Sequence, residues 1–176
     1  MLKHQSQPNR WSCSVAAAAM AMHVPVAELI DKIGHDGSEI KCDLPEPLCR
    51  AGFAPQEIID VAFEYGWSIT EIEPNPQMTP NGEVIWSVFD SEDKIRARME
   101  SYMDNFSGTV FGPRYDQKNW HYVAWCHRSQ CWLDPSGPTL KKDCPPIQVY
   151  SFQIYQKTDR YLAASFLEQL RNKGRR

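Results

Sequence analysis

The first apolar run, Cys13 to Met22, is Cys-Ser-Val-Ala-Ala-Ala-Ala-Met-Ala-Met. Its strong helix formers predict a helix that starts at or beside Cys13, with Pro8, Asn9 and Ser12 supplying the turn and cap before it. His23-Val24-Pro25 interrupts, and Val26, Leu29, Ile30 and Ile33 recur at helical spacing until Gly34 stops a second short helix. Residues 35–55 contain two glycines, three prolines and two cysteines with little periodicity, and are read mostly as loop. Pro55 suits the first turn of a third helix with Ile58, Ile59 and Ala62 on its apolar face. A short strand from Trp67 to Ile69, a Pro-rich turn region and a strand over Glu83–Phe89 follow. Ser91 then caps a helix whose stripe is Ile95, Met99, Tyr102, Met103 and Phe106. Beyond Gly108 the pattern becomes β: Thr109–Phe111, Trp120–Cys126, Cys131–Leu133 and Gln148–Tyr155, separated by turns at Gly112-Pro113, residues 127–129 and Ser136-Gly137-Pro138. Tyr161–Leu170 reads as an amphipathic helix before a solvated basic end. Helices lead and strands follow, which predicts an α+β domain.

Composition narrows the function classes. A chain of 176 residues suits one domain with a real core, and we read residues 1–176 as such. With 23% charged residues and a net charge of −3, no basic face points to nucleic acid. Residues 1–7 lack the apolar core of a signal peptide and no apolar run has membrane length, so a soluble, cytoplasmic protein away from membranes is expected. In that compartment most of the six cysteines are expected to be reduced.

Two stretches carry candidate chemistry. Gln7 lies six residues before Cys13, which opens the first helix. A thiol there sits at the positive end of the helix dipole, where a neighbouring cationic histidine can turn a roughly few-per-cent thiolate into the major form. Backbone N–H groups at that end can receive an oxyanion. Taken alone, Cys13 reads as a small buried core residue, the commoner fate of a lone cysteine. Far along the chain, Asn119-Trp120-His121 opens one strand and Leu133-Asp134-Pro135-Ser136-Gly137 closes the next. A hairpin through residues 127–130 brings the start of one beside the end of the other, so Asp134 can orient His121. Separately, the histidine is an ordinary structural residue and the aspartate an ordinary turn cap. Cys126, His127, Cys131 and Cys144 invite a zinc reading, but no Cys-x-x-Cys pair occurs, and no metal or cofactor is expected. Trp11, Trp120, Trp125 and Trp132 fit either a substrate groove or an aromatic core.

The order of glutamine, cysteine and Ala-rich helix, then a distant His-Tyr-Val-Ala strand and Leu-Asp-Pro turn, resembles the papain-like thiol proteases, closest to the C39-like peptidase group. The resemblance covers nearly the whole chain. It implies a papain-like cysteine peptidase fold with an N-terminal helical half and a C-terminal antiparallel β half. Cys13 would be the nucleophile, His121 the general base and acid, Asp134 the orienting third member and Gln7 the oxyanion donor. A protein or peptide substrate would lie between the halves and be cleaved at a peptide or isopeptide bond; the same machinery serves deamidation or acyl transfer. Ser14 departs from the family pattern, which has Gly or Trp after the cysteine. That departure motivates a rival in which the fold is a silent scaffold for a binding or inhibitory protein. A zinc-stabilised interaction module is the second rival.

Overall fold

The structure, a computed structural model, describes residues 2–45, 49–72, 77–78, 84–85, 92–115 and 119–158. Helix α1 (Cys13–Met22) begins at the cysteine, as the sequence predicts. Ser12 occupies the N-cap position but its hydroxyl bonds back to the Asn9 carbonyl at 2.9 Å and not into the helix. His23 closes α1 in the left-handed region, and Gly34 does the same for α2 (Val26–Ile33). Gln5 clamps the turn between them, its amide accepting from Val26 N–H at 2.9 Å and donating to the Val24 carbonyl at 2.7 Å. Helix α3 (Pro55–Glu64) starts on its proline, with Glu57 accepting the Ala54 N–H at 2.7 Å.

The sheet runs β1-β8-β4-β5-β6-β7, with β1 (Trp67–Ile72), β4 (Gly108–Pro113), β5 (Trp120–Cys126), β6 (Cys131–Leu133), β7 (Thr139–Lys141) and β8 (Ser151–Lys157). Every described pairing in it is antiparallel. A separate hairpin joins β2 (Gln77–Met78), a strand within the region predicted as a Pro-rich turn, to β3 (Val84–Ile85), inside the predicted Glu83–Phe89 strand; the rest of that strand, the Ser91 cap and the Tyr161–Leu170 helix lie outside the described residues. Sequence periodicity missed β7, three residues of which only Leu140 is apolar and which pairs with β6 alone. The predicted strand over Gln148–Tyr155 begins later, at Ser151. Gln148 and Tyr150 instead donate backbone N–H groups to Pro113 and Phe111 from outside the regular ladder.

The core has two layers, one on each sheet face. On the first, α1 is buried all round, Val15 to Met20 having no exposed surface. Val15, Ala18, Ala19 and Met22 pack toward Leu29 of α2 and Ile58, Val61 and Ala62 of α3. Ala17 and Met20 pack on Ala124 and Leu133 of the sheet. Alanine side chains let the helix approach the strands closely, which brings the N-terminus of α1 to the start of β5. On the opposite face, Met99 and Met103 of α4 (Glu92–Asn105) cover Val110, Val123, Trp125, Trp132 and Phe152. Trp125 and Trp132 are therefore core residues, their indole N–H groups donating to Met103 and Lys142 carbonyls. Trp120 is 43% exposed and stacks on Phe111.

Gly112 pairs with His121 across β4–β5. A methyl group there would overlap the Gln148 carbonyl oxygen, so only glycine lets residues 148–150 lie against this strand. Gly112→Ala is expected to lower stability by about 1–3 kcal/mol, the usual cost of forcing extra bulk into packed structure. Urea unfolding checks this, and an unchanged midpoint would contradict it.

Candidate active site

Three side chains converge in one place. Cys13, at the first position of α1, faces His121 on β5. His121 Nε2 lies 2.7 Å from Oδ1 of Asp134, which follows β6. An ionised carboxylate only accepts, so Nε2 carries the proton in that bond, and Nδ1 is left for the sulfur. Register produces the pairing: Ala124 lies opposite Leu133 in the β5–β6 hairpin, placing the start of β5 beside the residue after β6. His121 and Asp134 are both buried, whereas Cys13 is part-exposed.

Burial is the largest single influence on each group, and in each it is outweighed. It disfavours the Cys13 thiolate, but the hydrogen bond and charge of His121, with N–H groups of Tyr122 and Ser14, hold the thiol below its ordinary value. It disfavours the His121 cation, but Asp134 and Cys13 together push the imidazole up. It disfavours the Asp134 carboxylate, but His121 and the backbone and hydroxyl of Ser136 bring it down to about 2. These opposed shifts favour a thiolate–imidazolium pair backed by a carboxylate.

The turn reading and the site reading of Asp134 hold together. Its Oδ1 accepts the Ser136 N–H at 2.9 Å and hydroxyl at 3.0 Å, which is the local cap expected of Asp-Pro-Ser-Gly, while also accepting from His121. Arg114, just past β4, places Nη2 at 3.4 Å from both carboxylate oxygens and bonds the Ser136 hydroxyl. His4 donates Nε2–H to the Asp134 backbone carbonyl at 2.8 Å. Sequence reasoning missed these three neighbours. Ser136 stood in the turn motif that was read, but neither Arg114 nor His4 carries a local signal.

The structure brings Cys13, His121 and Asp134 together; Gln7 is placed differently. Its backbone N–H donates to Pro135 O at 2.8 Å, tying the N-terminal segment to the Asp134 turn. Its carboxamide Nε2 donates to Asn9 O at 2.9 Å, and Oε1 is buried without a partner. One amide N–H is thus spent within the loop. Asn9 builds that loop, its Oδ1 accepting the Trp11 N–H and its Nδ2 donating to Asp36 O. Arg10 and Arg50 lie over the Trp11 ring, 5.1 and 5.7 Å from its centroid.

The late cysteines do not gather. Cys126 and Cys131 face each other across β5–β6, His127 Nδ1 pairs with the Ser107 hydroxyl at 2.9 Å, and Cys144 is exposed beyond β7. Among the described residues, no three His, Cys, Asp or Glu side chains form a group able to hold a metal ion, and no single helix is long and apolar enough to cross a membrane.

No protein-family model and no curated protein matches the chain. Among solved structures it is similar to a crystal structure of a double glycine motif protease from an AMS/PCAT transporter in complex with the leader peptide. The two share 12% identity over 90% of this chain and 93% of the other, with a TM-score of 0.50. At that identity the likeness is one of fold. It agrees with the mixed helix and antiparallel-sheet architecture that the sequence resemblance implies.

The depressed Asp134 value has a consequence for stability. A carboxyl whose folded pKa lies below its unfolded value contributes stability above the unfolded pKa and loses it as pH falls through the folded one. Unfolding free energy is expected to drop by about 2 kcal/mol between pH ~5 and pH ~2 on this account, and Asp134→Asn is expected to flatten that portion of the profile. Denaturant melts across the acid range check it; an unaltered slope in Asp134→Asn would refute the assignment.

Proposed function

We propose that the protein is a C39-like cysteine peptidase that cleaves a peptide or isopeptide bond, with Cys13 as nucleophile, His121 as general base and acid, Asp134 as its orienting partner and Gln7 as an oxyanion donor. The observation that carries this reading is the convergence of Cys13, His121 and Asp134 at the start of α1, with His121 Nε2 2.7 Å from Asp134 Oδ1. The thiolate attacks the carbonyl carbon and forms a carbon–sulfur bond. The oxyanion is received by backbone N–H at the helix start and by the Gln7 amide hydrogen not used by Asn9. His121 gives its proton to the leaving nitrogen as the carbon–nitrogen bond breaks. Water then attacks the thioester, His121 takes the water's proton, and the thiolate is released.

A peptide substrate follows by analogy with the fold neighbour, a protease solved with a leader peptide. Trp120, exposed next to His121, supplies an aromatic surface against which such a chain can lie. The nucleophile has to stay reduced, and the cytoplasm, where we place the protein, maintains that state.

Iodoacetamide near pH 6 is expected to modify Cys13 about tenfold or more faster than the exposed Cys42 and Cys144, since an ordinary thiol is well under one per cent thiolate there by rough estimate. Peptide mapping of the labelled protein reads the rates. Cys13→Ala is expected to remove both this label and all turnover, His121→Ala to remove the enhancement, and Asp134→Asn to reduce it. A Cys13 no faster than Cys42 would identify a scaffold and not an enzyme. Gln7→Ala is expected to alkylate almost normally yet lose on the order of a hundredfold in turnover of a cleaved peptide, because its hydrogen bond strengthens only as the oxyanion develops. Normal turnover in that variant would leave the oxyanion to backbone donors.

A further inference from the structure

We propose that Arg114 is a positioning residue that counter-charges Asp134 and so sets the pH range over which the Cys13–His121 ion pair exists; this rests on reading the site as a thiol nucleophile and its base. Asp134 Oδ1 accepts from His121 Nε2 and from the Ser136 N–H and hydroxyl, and Arg114 Nη2 lies 3.4 Å from both Oδ1 and Oδ2. That arginine side chain is 19% exposed and the carboxylate only 5%, so the pair is shielded from solvent.

Arg114 is held as firmly as the carboxylate it faces. Its backbone N–H donates to Asn119 O at 3.1 Å, its backbone bridges to Ile147, and its guanidinium shares the Ser136 hydroxyl with Asp134. The charged and titratable groups that face the His121–Asp134 pair are Cys13 from α1, Arg114 from the end of β4 and His4 from the N-terminal segment. His4 addresses the Asp134 backbone carbonyl, not its carboxylate. Cys13, His121, Asp134 and Arg114 therefore alternate as anion, cation, anion and cation, with no net charge across the buried row.

The consequence concerns proton transfer. A buried carboxylate with no counter-charge would hold the imidazolium too strongly, making His121 a poor acid toward a leaving amine. The guanidinium cancels part of that field and leaves the orientation of the imidazole intact. The hydrogen-bonded carboxylate still favours the imidazolium, but less than an uncompensated one would. Removing the positive charge makes thiol ionisation harder and imidazolium ionisation harder, so both limbs of the pH profile move upward.

The test needs no substrate. The pH dependence of iodoacetamide modification at Cys13, followed by peptide mapping, gives the thiol limb, and the NMR chemical shift of the His121 ring gives the imidazolium limb. Arg114→Met is expected to raise both by about half a pH unit or more. Arg114→Lys, which keeps the charge, is expected to move them less than half as far. Arg114→Gln, which is neutral and polar, takes the place of the methionine variant should that one fail to fold. Limbs that stay in place in a folded neutral variant would overturn the proposal. So would a His121 value falling toward the ordinary value of about 6.5, which is the signature of lost Asp134 alignment. An unreactive Cys13 in the unaltered protein would instead overturn the peptidase reading itself, and the two failures are thereby separable.

Discussion

The close approach of α1 to the sheet is the constraint on which the rest depends. Ala16 to Ala19 have no exposed surface, with Ala17 against Ala124 and Leu133 on one side and Ala18 and Ala19 against the other helices. Bulkier side chains there would push the helix off β5 and carry the sulfur away from the imidazole. Helix position and site geometry are thus one packing problem, solved mainly by the smallest side chains in the core. The second helix layer, the Gln5 clamp and the glycine at 112 all serve the same end. They hold the elements around the start of β5 in one arrangement.

Within that frame, electrostatics is a contest between desolvation and pairing. Each of Cys13, His121 and Asp134 is penalised by burial for carrying charge, and in each the neighbours shift the balance back toward the charged form. The shifts belong to the set, and the turn at Asp134-Pro-Ser136 takes part because Ser136 holds the carboxylate that faces the ring. The proposed counter-charge on Arg114 extends the same logic by one residue.

Much of this was legible in the sequence, for identifiable reasons. Helices α1 to α3 were marked by strong propensity, a proline at a first turn and glycines at ends, and β5 and β6 by β-branched and aromatic runs with a turn between. The pairing of His121 with Asp134 followed from hairpin geometry alone, since register in a short antiparallel pair leaves little freedom. Other features were not local. β7 has a single apolar residue and exists through its partner β6. Arg114 meets Asp134 only because β4 pairs with β5 and β5 with β6. The tryptophans divided between core and surface by strand phase, which composition does not show: Trp125 and Trp132 lie opposite each other on the α4 side, while Trp120 sits at an exposed strand end. Gln7 lies on the loop before the helix, and its engagement with Asn9 depends on the detailed turn.

The central claim is that Cys13 rests as a thiolate paired with the His121 imidazolium. Ultraviolet thiolate absorbance recorded as a function of pH, with the Cys13→Ser protein subtracted, measures this without substrate or label. The account predicts that one equivalent of thiolate appears well below the ordinary thiol range and disappears in His121→Ala. A difference spectrum that rises only near pH ~8.5, as for an unpaired cysteine, would contradict it.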